Sequence, residues 1–282
     1  MKIKKASEMG FCFGVKRAID MVQKVAQERG SLQTIGPLVH NKQVVSRLEE
    51  QGIKVATGVD EIGGNAVAIA SHGVGPEVKA LIEGRGVEIF DATCPFVRRA
   101  QVIAQRLAQD GFEILIYGDA NHPEVQGILA WANGKAQVCT EVPRQLPARL
   151  GILAQTTQSQ GSFKKFLVDV ISRDLVKASE LRIYNTLCDA TRKQQAAALE
   201  LAREVDLMVV IGGKHSANTR RLAETCAATG VATYHIETAA ELDPAWLADR
   251  HRIGVSAGAS TPREVIDEVV SKLEELAGET ET

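Results

Sequence analysis

At 282 residues, with 45% hydrophobic and 24% charged side chains, the chain has the composition of a globular protein with room for one large domain or several smaller ones. A formal charge of −2 excludes a global field for nucleic acid or an anionic membrane, so any anionic ligand must be held by a local site. No apolar run approaches the ~18 residues of a membrane span, and Met1-Lys2-Ile3-Lys4-Lys5 lacks a signal peptide's apolar stretch, which predicts a cytoplasmic protein.

Apolar periodicity predicts a short strand at 2–6, a helix after Cys12, and a strand at 66–70 entering Ser71-His72-Gly73. The middle third is predicted as helix 97–109, strand 113–117, a Gly-rich loop, a helix from 123 and a strand at 136–138. A strand at 150–153, a polar turn at Gln155-Thr156-Thr157-Gln158, a helix over 162–173 and a strand at 182–184 follow. The last third repeats this order, with strands at 207–211 and 253–255, the latter entering Gly258-Ala259-Ser260, and a helix over 262–276. Strands with near-continuous apolar runs alternating with helices indicate parallel α/β sheets.

Three cysteines divide the chain. Cys12, Cys94 and Cys188 each have Val or Thr three positions on (Val15, Val97, Thr191), followed by two basic residues and a helix. Twenty-eight residues past each cysteine stands a polar residue, His40, His122 or Ser216, ending a Gly-x-x-x-polar loop that starts at Gly36, Gly118 or Gly212. The chain reads as one α/β unit written three times: 13–93, 94–187 and 188–277. The third copy lacks a last strand, and the N-terminal strand within 1–7 is expected to close its sheet. A polar tail at 278–282 is expected to be disordered.

In α/β sheets ligands collect at the carboxyl ends of the strands. Three copies around a pseudo-threefold axis would surround one pocket with three thiolates favoured by helix N-termini, three histidines and several hydroxyls. Three separated cysteines without any Cys-x-x-Cys suit a cluster held at three irons better than structural zinc, and leave one iron open as a Lewis acid. His40, His72, His122, Ser216, Asn218 and Ser260 form a donor set suited to a phosphate or diphosphate. Glu124 borders the predicted pocket and can deliver protons. Cys139 reads as a buried strand residue and Cys226 as helix filler, and His215, His235 and His251 read as structural.

The motifs together resemble the 4-hydroxy-3-methylbut-2-enyl diphosphate reductase (LytB) family. They run in order from Gly10-Phe11-Cys12-Phe13-Gly14-Val15-Lys16-Arg17-Ala18, Gly36-Pro37-Leu38-Val39-His40-Asn41 and Ser71-His72-Gly73-Val74 to Asp91-Ala92-Thr93-Cys94-Pro95 and His122-Pro123-Glu124-Val125. Gln155-Thr156-Thr157-Gln158, Cys188-Asp189-Ala190-Thr191, Ser216-Ala217-Asn218 and Ala257-Gly258-Ala259-Ser260 complete the series across essentially the whole chain. The resemblance implies a trefoil of three α/β units around a [4Fe–4S] cluster on Cys12, Cys94 and Cys188. It implies a diphosphate held by His40, His72, His122, Ser216, Asn218 and Ser260, with Thr156 and Thr157 at the substrate hydroxyl and the proton path, and Glu124 as acid. Where many members have Ser-Ser-Asn this chain has Ser216-Ala217-Asn218, which leaves a backbone N–H as the contact at Ala217.

The activity so implied is reductive removal of an allylic hydroxyl, giving isopentenyl and dimethylallyl diphosphate in the non-mevalonate route. Electrons would come from a small carrier protein of ferredoxin or flavodoxin type, since Gly212-Gly213 is no nicotinamide-binding loop. A lyase resembling quinolinate synthase, also three α/β units with three cluster cysteines, is the nearest rival. An iron–sulfur sensor or scaffold is the non-enzymatic one.

Overall fold

The computed structural model describes residues 1–173 and 179–279. In chain order it opens with β1 (Lys2–Lys5), α1 (Phe13–Arg29), β2 (Leu32–Ile35), α2 (Lys42–Glu50), β3 (Ile53–Ala56), β4 (Ala66–Ile69), α3 (Pro76–Gly84) and β5 (Glu88–Asp91). Next come α4 (Pro95–Gln109), β6 (Glu113–Tyr117), α5 (Pro123–Trp131), β7 (Ala136–Cys139), β8 (Arg149–Ala154), α6 (Gln160–Ser172) and β9 (Glu180–Ile183). The last are α7 (Asp189–Ala202), β10 (Leu207–Ile211), α8 (Ala217–Ala227), β11 (Ala232–Ile236), β12 (Arg252–Ala257) and α9 (Arg263–Glu279).

Among the described residues these strands form three four-stranded sheets, ordered β3-β2-β4-β5, β7-β6-β8-β9 and β11-β10-β12-β1, parallel at every pairing. The order is the same in each. In the third sheet the outer strand is β1, which pairs with β12 from Lys2↔Arg252 to Lys5↔Val255. Its Lys-Ile-Lys-Lys sequence suits an edge, where charged side chains discourage further pairing.

The chain divides into two compact units. One, Met1–Lys16, Val39–Arg47 and Asp189–Thr282, holds the sheet β11-β10-β12-β1; the other, Arg17–Leu38 and Leu48–Cys188, holds the remaining two sheets. In the first unit the period of two along β10 separates two cores. Leu207, Val209 and Ile211 pack with Val265, Ile266, Val269, Val270 and Leu273 of α9, a stripe at helical spacing. Met208 and Val210 face the other way, toward Ala198 and Leu201 of α7 and Leu222 and Cys226 of α8. Both faces are covered, which is why the strand is apolar throughout. In the second unit, Ile114 and Ile116 pack with Ala100, Ala104 and Leu107 of α4, and Leu115 and Tyr117 with Phe163 and Phe166 of α6.

Helix starts follow local chemistry. Proline opens α3, α4 and α5, where a missing N–H costs nothing. Ser159 caps α6 through the Ser162 amide, so that helix begins at Gln160 rather than at 162. The terminal helix runs on to Glu279, past its expected end at 276, which corrects the expected tail at 278 and 279; residues 280–282 lie outside the described residues. No described helix is long and apolar enough to cross a membrane.

Candidate functional site

Each of the three matched cysteines sits between an edge strand and a helix: Cys12 after β1 and before α1, Cys94 after β5 and before α4, Cys188 after β9 and before α7. Their amides make the same bond. Cys12 N donates to Ala259 O (3.1 Å), Cys94 N to Ser71 O (2.9 Å) and Cys188 N to Thr156 O (2.9 Å). The acceptors lie just past β12, β4 and β8, each of which pairs with the edge strand in question. Every thiol is thereby tied to the loop holding one predicted ligand residue, Ser260, His72 or Thr157. Val15 N further points at Cys12 Sγ (3.5 Å), the contact expected of a sulfur at a helix start.

None of the cysteines is in a disulfide. Cys226 is buried in α8, and burial pushes its thiol up to about 11. Cys139 is half-buried rather than buried, because β7 is an edge strand, yet desolvation still pushes its thiol up to about 11. Neither is poised to act as a thiolate. Among the described residues no three His, Cys, Asp or Glu side chains stand in a metal-binding group. The fit to an iron–sulfur cluster is therefore judged on each thiol's setting: one soft donor per repeat, a matched backbone tether, and no competing disulfide. On those grounds the residues fit.

Glu124 is buried, 3% exposed at the start of α5. Its Oε1 accepts from Thr156 N (2.7 Å) and its Oε2 lies 2.8 Å from Thr156 Oγ1. The amide can only donate, so Oε1 is fixed as acceptor. The second contact joins two oxygens, either of which can carry the proton, so a proton can pass between carboxyl and hydroxyl. Thr156 O also accepts the Cys188 amide, which places carboxyl, hydroxyl and thiol-bearing residue on one hydrogen-bonded line. Thr157 Oγ1 accepts from Gln155 Nε2 (3.0 Å).

The histidines differ in the nitrogen that holds the proton. His122 caps α5, its Nδ1 accepting from Glu124 N (3.2 Å), so a neutral ring carries its proton on Nε2. In His72, Nδ1 is 3.1 Å from Gly73 O, which can only accept, so the proton sits on Nδ1. Burial pushes His72 below the usual imidazole range, against backbone hydrogen bonds at Gly73 and Pro37 that favour the charged ring. His72 packs over Gly36, whose φ of +69° suits glycine.

In the first unit, Ser216 caps α8 by accepting from Thr219 N (3.3 Å), and Ala217 opens the helix with its backbone N–H outside the intrahelical ladder. Asn218 Nδ2 donates to Gln194 Oε1 (3.4 Å), whose own Nε2 donates to Gly10 O (2.7 Å). Ser260 Oγ is buried with no partner among the described residues, as expected of a donor that awaits an anion, while Asn218 would have to meet one through the second hydrogen of Nδ2. His40 stands one residue before the cap of α2. Asn41 takes that position, its Oδ1 accepting from Val44 N (3.1 Å). The residue equivalent to His122 and Ser216 by capping is thus Asn41, one place past the twenty-eight-residue spacing. A Cβ at Gly213 would come within 2.4 Å of His40 O, so only glycine allows the two loops to meet.

Sequence reasoning did not find the buried glutamines Gln101, Gln194 and Gln195, nor Asn41 as a cap. Their one signal is an amide on an otherwise apolar helical face, which spacing alone does not separate from a surface position.

Residues 3–274 match the family model described as LytB protein. The chain belongs to the LytB family. A 4-hydroxy-3-methylbut-2-enyl diphosphate reductase of Dehalococcoides mccartyi (strain CBDB1) is 51% identical over 98% of this chain and 99% of its own length. The protein of that name from Geobacter sulfurreducens (strain ATCC 51573 / DSM 12127 / PCA) is 48% identical, with 98% of each chain covered. A solved structure of (E)-4-hydroxy-3-methyl-but-2-enyl diphosphate reductase, titled as the terminal enzyme of the non-mevalonate pathway, aligns with a TM-score of 0.69. It is 38% identical, over 97% of this chain and 99% of that one. The Plasmodium falciparum E-1-hydroxy-2-methyl-but-2-enyl-4-diphosphate reductase structure aligns at 0.90 and 24% identity, over 96% and 87%, and speaks for the fold. LytB membership makes the chain an enzyme of a reductase family, and the lyase and scaffold alternatives fall away.

Proposed function

We propose that this chain reduces (E)-4-hydroxy-3-methylbut-2-enyl diphosphate to isopentenyl and dimethylallyl diphosphate in the cytoplasm, taking electrons from a small ferredoxin- or flavodoxin-type carrier. The observation that carries the reading is the line from Glu124 through Thr156 to Cys188. It provides a buried proton source beside a predicted cluster ligand, as loss of a hydroxyl requires. In the proposed architecture the three segments 13–93, 94–187 and 188–277 form a trefoil, and Cys12, Cys94 and Cys188 hold a [4Fe–4S] cluster. When bound, such a cluster would pass on two electrons, one at a time, and offer an open, Lewis-acidic iron.

The chain's own residues supply binding and protons. The allylic C–O bond breaks, its oxygen takes a proton and leaves as water, and the carbon skeleton takes two electrons and a second proton. Thr156 Oγ1 meets the substrate hydroxyl and is resupplied from Glu124 Oε2, with Thr157 beside it. His122 donates from Nε2 to the diphosphate, joined by His40, His72, Ser216, Asn218, Ser260 and the Ala217 backbone N–H at the start of α8. Anaerobically purified protein given a reduced dye should turn over the allylic diphosphate and not its unphosphorylated alcohol. Equal use of both would overturn the diphosphate assignment.

His72 gives this site a pH dependence. With Nδ1 donating to Gly73 O, Nε2 can donate to an anion only when the ring is protonated. Burial keeps the free ring below its ordinary range, and a bound anion raises it. Binding therefore takes up a proton, and affinity is lost as pH rises through the complex's imidazole pKa. Calorimetry with inorganic diphosphate in buffers of different ionisation enthalpy should show that uptake, diminished in His72→Gln. Identical uptake in both proteins would contradict the assignment.

Asn218→Ala removes a donor to a charged oxygen without removing a helix cap, as Ser216→Ala would. Such a bond contributes roughly 1.5–3 kcal/mol, so inorganic diphosphate affinity should fall about tenfold to a hundredfold with iron content unchanged. Undiminished affinity would take Asn218 out of the site.

A further inference from the structure

The basic residues that follow each cysteine have no part in the chemistry above, and they do not share one role. Arg192 pairs with Asp189 on an exposed turn, and Arg17 reaches Thr93 O (3.2 Å). Arg98 is different: it is half-buried, and it touches three groups at once. One guanidinium nitrogen pairs with Asp91, whose other oxygen accepts from Thr93 N (3.0 Å) just before Cys94. A second donates to Gln101 Oε1 (3.0 Å), and the guanidinium carbon lies 5.7 Å from the centre of the Trp131 ring.

Both neighbours lead to the His72 loop. Trp131 Nε1 donates to Val74 O (2.9 Å). Gln101 is fully buried under Gly73: a Cβ at Gly73, where φ is +72°, would come within 2.5 Å of Gln101 Nε2, and one at Gly127 of α5 within 3.2 Å. Gly75 sits equally close to Ala130, with 2.6 Å between an added Cβ and the Ala130 methyl. The loop 71–75 therefore rests on a layer made of Gln101, Ala130 and Trp131, and Arg98 ties two of these together and to the Cys94 loop.

We infer that Arg98, acting through Trp131 and Gln101, is a positioning residue that holds the His72 loop in its ligand-binding conformation. The inference rests on the reading of His72 as a diphosphate ligand. A single partly exposed ion pair contributes little. What distinguishes Arg98 is that one rigid, planar group joins the segment ahead of Cys94, the buried amide under Gly73 and the indole that holds Val74. Loss of it frees the loop without removing any group that meets substrate.

The amides of Ser71 and Gly73, bonded to Leu38 O and Ala70 O, report on the loop. Their hydrogen exchange in the apo protein should quicken at least ~10-fold in Arg98→Ala. Trp131→Phe, which keeps an aromatic ring and removes the N–H with part of the ring's area, should quicken the same amides by less. In the loaded enzyme KM and the Kd for inorganic diphosphate should both rise about tenfold, with kcat and iron content little changed. The double variant should be no worse than Arg98→Ala, because both changes interrupt one path, from Arg98 through the Trp131 ring to Val74 O. Unchanged exchange at Ser71 and Gly73 in Trp131→Phe and in folded Arg98→Ala would overturn the inference. Faster exchange with undiminished diphosphate affinity would leave the strut standing and remove His72 from the diphosphate site.

Discussion

Glu124→Gln is expected to retain the cluster and bind the allylic diphosphate, yet turn over at least ~100-fold more slowly, the size of a general-acid contribution. The substitution suits the geometry. A glutamine oxygen can still accept from Thr156 N, and its NH2 can donate to Thr156 Oγ1, so both positions now 2.7 and 2.8 Å from Thr156 stay filled. Only the transferable proton is lost. The deficit should fall on kcat rather than on KM, since the carboxyl acts on the leaving oxygen and not on the diphosphate. Turnover near that of the parent would move the acid role to His122 or to water held by Thr156. Loss of iron would make Glu124 a structural residue.

Ser in place of Cys12, Cys94 or Cys188 is expected to abolish or severely degrade the cluster in each case, while Cys139→Ser and Cys226→Ser keep full iron content. The backbone bonds to Ala259, Ser71 and Thr156 come from the amides and survive the change, so the folds of these loops should too. Circular dichroism beside an iron assay separates the two effects. At position 226 the new hydroxyl has Ala198 O nearby, which the thiol already faces at 3.9 Å. If Cys139 proved as necessary as Cys94, the ligand assignment would be wrong.

Central strands and the repeat are readable because they rest on short-range rules, whereas β2, β3, β5 and β11, short and interrupted by polar residues, are not. Leu207–Ile211 is apolar on both faces since both are covered, and the cysteine segments recur at one spacing. Helix boundaries were less so: Ser159 starts α6 earlier than apolar spacing suggests, and an edge position leaves Cys139 partly exposed. The spacing that links His122 and Ser216 falls on His40, whereas the cap is Asn41, a shift of one residue that only backbone geometry settles. Glu124 was found from its place beside His122-Pro123, but its bond to Thr156 joins residues 32 apart in the chain, and nothing local encodes it. The same holds for Gln194, which links Asn218 to Gly10 O. Long-range amide contacts of this kind leave no periodic trace.

A two-electron loss of a hydroxyl has a stoichiometry that a single turnover reveals. Anaerobically purified protein, assayed first for iron and sulfide, is mixed with a reduced one-electron dye and a known amount of the allylic diphosphate. Two equivalents of dye should be oxidised for each isopentenyl or dimethylallyl diphosphate formed, with no inorganic diphosphate released. Protein carrying its full complement of iron and sulfide that consumes no dye, or that releases inorganic diphosphate instead, would contradict it.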